Sequence, residues 1–209
     1  MNGAAPATAA RALGDVDAAP LPSFAFGDRS VMWWGTLGVM AVEGTVFALA
    51  IVVYFYVRTR VHEWPPSASP PDLLWGTLNT LVMLASLVPN QLAKRAAERQ
   101  DLRGVRIWLT VCTAFAVVFL VLRAFEFTAL GVRWDTNAYG SAVWMLLGLH
   151  TTHVLTDWFD TVVLNILVFT GPLEARRFAD VSDNAFYWYF VVGAWLPIYA
   201  VIYFGARLL

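Results

Sequence analysis

The sequence predicts an all-α membrane protein: a bundle of five transmembrane helices with a cytoplasmic N-terminus and an external C-terminus. Three observations carry this. The 209 residues are 59% hydrophobic and 14% charged, whereas soluble domains run at about 45–50% apolar and about 25% charged. Five long apolar stretches recur, at 31–57, 73–93, 105–130, 138–169 and 184–207, each reaching the roughly 20 residues that a membrane-crossing helix needs. Period-2 alternation is nowhere sustained, which excludes a lipid-facing barrel.

The elements follow in order. Residues 1–29, rich in Ala and Pro, lack the apolar core of a signal peptide and read as a mobile cytoplasmic tail ahead of one membrane domain, 30–209. "RTRVHEWPPSASPPD" separates the first two spans, "KRAAERQDLRG" the next two, and "GVRWDT" and "GPLEARRFADVSD" the remaining pairs. The fourth span, 32 residues long, exceeds one crossing at about 1.5 Å per residue and must tilt or project. Lys94 and Arg11, Arg29, Arg95, Arg99, Arg103, Arg106, Arg176 and Arg177 fall on one side, nine in all; Arg58, Arg60, Arg133 and Arg207 fall on the other. That asymmetry places the N-terminus, second loop and fourth loop in the cytoplasm and the C-terminus outside.

Several chemistries are excluded. A net charge of −1 gives no reason to expect nucleic acid, and the single Cys112 forms no internal disulfide and holds no iron–sulfur cluster alone. P-loop, G-x-G-x-x-G, H-E-x-x-H and G-x-S-x-G motifs are absent.

What remains is a set of ionisable groups inside the spans, each costing about 2.5–3.5 kcal/mol on insertion scales and so needing a partner. Glu43 lies near the middle of the first span. Arg123 and Glu126, spaced i,i+3 in the third, form a self-satisfying pair. "GLHTTHVLTDWFDTVV" (148–163) carries His150, His153, Asp157 and Asp160 within about 80° of one helix face. A two-iron carboxylate site would need Glu-x-x-His motifs, which are absent. Two histidines at i and i+3 on one helix do not reach both faces of a haem. The expectation is a chain without metal or haem. Glu43, Glu126, His150, His153 and Asp157 then read either as a proton relay or as a buried network that fixes helix packing, with His150 as the first expected partner of Glu43.

The motifs resemble one family. "GLHTTHVLTD" (148–157) is similar to the G-h-H-G-x-H-V signature in the penultimate helix of subunit III of haem–copper terminal oxidases. "AFYWYFVVGAWLPIYAVIYFG" (185–205) resembles that family's last helix, with Tyr187, Trp188, Phe190, Val191, Trp195 and Tyr199 in matching places. "VEGTVFALAIVVYFY" (42–56), "LNTLVMLASLV" (78–88) and "RAFEF" (123–127) follow the family's order. Five spans match its short bacterial form. Tyr189, Val192 and Thr151 stand where the family has His, Asp and Gly, which points to a divergent branch, such as the subunit-III-like protein associated with nitric oxide reductases.

The resemblance implies a non-catalytic component of a cytochrome c or quinol oxidase. Its haem and copper would sit in the partners. It would pack on subunit I, with subunit II in the same complex, bind phospholipid and support proton supply. Arg123, Trp188, Trp195 and Tyr199 would be interhelix or interfacial residues. The rival from another class is an independent proton or ion transporter. Such transporters show inverted repeats and helices broken near the midplane, whereas here Pro197 alone lies clearly inside a span and Pro89 is expected near a span end.

Overall fold

A computed structural model describes residues 25–66, 69–171 and 175–208. Among them there is no strand. The chain forms α1 (Val31–Arg58), α2 (Leu73–Glu98), α3 (Leu102–Thr128), α4 (Ala138–Thr170) and α5 (Ala175–Tyr199). A π-helical turn (Ala200–Phe204) and a final α-turn (Gly205–Leu208) continue α5. Among the described residues, five helices are long and apolar enough to cross a membrane. At about 1.5 Å per residue, the 33 residues of α4 reach about 50 Å, well beyond a hydrocarbon core of about 30 Å.

Local chemistry starts the helices. The side chains of Ser30, Asp72 and Asn137 accept hydrogen bonds from the backbone N–H groups of Trp33, Leu74 and Gly140, satisfying donors that have no partner within the helix. The tail expected over 1–29 falls mostly, at 1–24, outside the described residues. Its last residues form a 3₁₀ turn, Gly27–Arg29, tied to α1 by the Trp34 indole N–H donating to the Asp28 carbonyl at 2.8 Å.

α2, α3, α4 and α5 form a ring, each packed on its two neighbours, and α1 lies against α4 and α5. The α2–α3 pairing is built on small residues: Ala93, Ala96 and Ala97 are buried, and a Cβ at Gly104 would come within 2.9 Å of the Ala96 methyl. Without a hydrophobic drive between helices in lipid, such close approach supplies the dispersion contact that holds spans together. Leu146, Leu147, Val191, Trp195 and Ile198 fill the ring's centre. The outward faces carry Val42, Leu49, Val52, Leu81, Val88 and Val121, all exposed apolar side chains suited to lipid.

Two span expectations change. α2 runs to Glu98 and α5 begins at Ala175, so most of "KRAAERQDLRG" and "GPLEARRFADVSD" is helical. These turns are polar in sequence yet close a second small core of Ala96, Ala97, Val105, Leu109, Leu164, Val168 and Val181. Pro89, expected near a span end, therefore lies inside α2 and is buried. There it leaves the Ala85 carbonyl without its helical donor. At the opposite end Arg133 forks onto Asp135 at 3.0 Å, and that hydrogen-bonded guanidinium holds the exposed Asp135 carboxyl below the usual carboxylate range.

Candidate functional site

The polar residues inside the bundle separate into three groups. The first sits between α2, α3, α4 and α5. Arg123 and Glu126 are both 1% exposed and meet at 2.9 Å. Glu126 also accepts from the Tyr203 hydroxyl at 2.5 Å and from the Asn79 amide. Arg123 lies over the Phe119 and Trp195 rings, 4.7 and 4.1 Å from their centroids, and its Nη2 is 3.3 Å from His150 Nδ1. His150 Nε2 is 3.1 Å from the Val191 carbonyl. A carbonyl only accepts, so Nε2 carries the proton and Nδ1 accepts from Arg123. The imidazole is then neutral with both nitrogens engaged. Arg123 Nε and Asn79 Oδ1 are buried without a hydrogen-bond partner among the described residues, so the charge pair rests on the Glu126 carboxylate, the His150 nitrogen and the two aromatic rings rather than on full hydrogen bonding.

The second group joins α1 to α4 and α5. Glu43 Oε2 accepts from the Tyr187 hydroxyl at 2.7 Å, and Oε1 faces His153 Nε2 at 3.5 Å. His153 Nδ1 donates to the Leu149 carbonyl at 2.7 Å, and the ring packs on Phe47. With Nδ1 protonated, a bare Nε2 would face a bare carboxylate oxygen across 3.5 Å. One proton between them removes that repulsion, whether as a neutral carboxyl beside a neutral imidazole or as an ion pair. Glu43 keeps 25% of its side chain exposed, so the pair lies at the edge of the bundle rather than in its sealed core. The partner of Glu43 is thus His153 with Tyr187, not His150. A three-residue offset turns His150 about 60° around α4, toward α3 and α5.

The third group lies toward the α4–α5 connection. The Asn184 amide donates to Asp157 Oδ1 at 3.5 Å and to Asp160 Oδ2 at 3.2 Å, while Thr161 donates to Asn184 Oδ1 at 3.2 Å. Asp157 is buried and Asp160 exposed. The stripe 150–160 therefore serves three separate clusters. Among the described residues, no three His, Cys, Asp or Glu side chains converge as metal ligands.

Trp188, Trp195 and Tyr199 all bridge α5 to α2. The Trp188 indole donates to Ser86 at 2.9 Å, Trp195 donates to Thr80 at 2.8 Å, and the Tyr199 and Thr77 hydroxyls lie 2.8 Å apart. At the divergent positions, Tyr189 donates to Gln91, and Val192 is buried in the ring. Asn79, Tyr187, Tyr203 and Asn184 complete the three clusters without having been singled out as site residues. Asn79 was open to notice, as an amide in mid-span needs a partner as much as a carboxylate does.

Comparison with known proteins matches residues 61–207 to the family model for cytochrome c oxidase subunit III. The "Probable cytochrome c oxidase subunit 3" of Mycobacterium bovis is 32% identical over 179 residues, covering 81% of this chain and 86% of that protein. The cytochrome c oxidase subunit 3 of Corynebacterium diphtheriae is 28% identical over 200 residues, 92% of this chain and 98% of the relative. That of Thermostichus vulcanus is 26% identical over 176 residues, 83% and 87%. With the match extending through four of the five spans, in sequence order, this chain belongs to the cytochrome c oxidase subunit III family.

Proposed function

We propose that this chain is an accessory subunit of a respiratory haem–copper oxidase in a bacterial inner membrane, packed on the catalytic subunit I with subunit II in the same complex. It carries no haem or copper itself. Its role is to hold phospholipid at the complex and to support steady proton delivery to the oxygen-reducing partner. Its N-terminus is cytoplasmic, by the nine-to-four distribution of basic residues.

The single observation that carries the proton reading is the Glu43–His153–Tyr187 triad. It joins a mid-span carboxylate, an imidazole whose second nitrogen is already committed and a phenol, at 3.5 and 2.7 Å. Tyr187 of the triad lines a pocket of about 650 Å³ between α1, α4 and α5 that also carries Asp160, Asp180 and Arg177, a polar route by which a proton would reach it. The Arg123 cluster has the opposite character: sealed, charge-balanced and linking α2, α3, α4 and α5. It is the structural network, and the Glu43 cluster is the one assigned to proton handling.

Purifying the tagged chain from mild detergent and recording a reduced-minus-oxidised spectrum tests the assignment. Haem bands in stoichiometric yield, with oxygen uptake, are expected. A chain that purifies without haem-containing partners contradicts it.

A further inference from the structure

Between α2, α3, α4 and α5, on the side of the α4–α5 connection, lies a cavity of about 20 Å³ lined by Ser86, Asn90, Cys112, Ala116, Asp157, Asn184 and Trp188. One water molecule needs about 10–15 Å³ measured this way and two to four polar partners. The lining offers them. The Ser86 hydroxyl donates to the Met83 carbonyl at 2.6 Å and accepts from Trp188 at 2.9 Å, leaving one lone pair. Asn90 uses its amide on the Ala185 carbonyl at 2.9 Å, which leaves its carbonyl oxygen to accept. Asp157 is 6% exposed, and its contact with Asn184, at 3.5 Å, engages one oxygen only. A carboxyl buried with so little hydrogen bonding is costly, and a dry cavity beside it would make it more so.

We propose that this cavity is a binding site for one water molecule, bridging the Asp157 carboxyl to Ser86 and Asn90. Asp157 also lines a larger pocket of about 650 Å³ between α1, α4 and α5, together with Tyr187, Asp160 and Asp183. The water therefore sits behind a carboxyl that forms the wall between the ring's interior and that pocket. It hydrates Asp157 from the side that the pocket does not reach. The site stands independently of which electron-transfer partner the chain serves.

The test compares two backgrounds. Filling a dry apolar cavity stabilises a protein, while expelling a hydrogen-bonded water strands its partners. Ala116 lines the cavity and is buried, so Ala116→Val fills it. In the assembled complex, Ala116→Val should lower the thermal midpoint by about 2–4 °C more than it does in an Asp157→Leu background, where the principal polar partner is gone and only the added bulk is felt. Density for one ordered water within hydrogen-bond reach of Asp157, Ser86 and Asn90 is expected in a high-resolution structure of the complex. A midpoint for Ala116→Val alone that falls no further than in the Asp157→Leu background, or a cavity without water in that map, overturns the proposal.

Discussion

Removing the positive charge at Arg123 leaves Glu126 hydrogen-bonded by Asn79 and Tyr203 but with no cation to neutralise it, at 1% exposure. Breaking a buried pair from one side costs about 3–5 kcal/mol, whereas replacing both partners with apolar residues is often neutral. Arg123→Met should therefore strip the subunit from the detergent-solubilised complex or lower its melting temperature sharply. Arg123→Met with Glu126→Leu should recover most of that loss. Equal stability of the single and double variants, measured by thermal denaturation, would show that the pair is not coupled. The spacing of Arg123 and Glu126 made their pairing legible in the sequence. The partners of Glu43 were not legible, because they depend on how α1 is rotated against α4 and α5. Sequence spacing puts His150 and His153 on one stripe, and only packing decides which of the two faces α1.

Between elements, α2 and the end of α5 approach closely. A Cβ at Gly76 would overlap the Tyr203 ring, whose hydroxyl reaches Glu126. Overpacking of this kind costs about 1–3 kcal/mol. Gly76→Ala should lower stability by that amount, and Tyr203→Phe should cost about 1.5–3 kcal/mol for its lost bond to a charged acceptor. Since Gly76→Ala already displaces the ring, the two together should cost less than their sum. Strict additivity in a thermal-melt cycle would refute a shared contact. Hydropathy located all five helices but ended α2 five residues early and began α5 nine residues late. The missing turns, such as "KRAAE" and "ARRFADVSD", are polar. They are helical because alanines and one aliphatic face close the second core, a pairing across helices that no single window of sequence contains.

The described residues form a four-helix ring with a fifth helix laid on its α4–α5 side, and the proposed orientation rests on basic residues alone. With Cys112 replaced by Ala so that no native thiol remains, a cysteine at Arg133 should react with an impermeant reagent added to intact cells, and one at Arg177 should not. The reverse pattern would invert the topology and move the Asp157, Asp160 and Arg177 end of the bundle to the outside. On the proposed role, orientation decides which side of the membrane can supply protons to the Glu43 cluster.

The central claim, that the Glu43–His153–Tyr187 triad supports proton supply, is tested most directly by oxygen consumption in proteoliposomes followed over minutes. Glu43→Gln keeps the size and the hydrogen bond from Tyr187 but removes the exchangeable proton, so the subunit should assemble normally. Turnover in this variant is expected to begin near the wild-type rate and then decline faster. Unchanged activity throughout, with weakened assembly only in Glu43→Leu, would make Glu43 a packing residue and contradict the account.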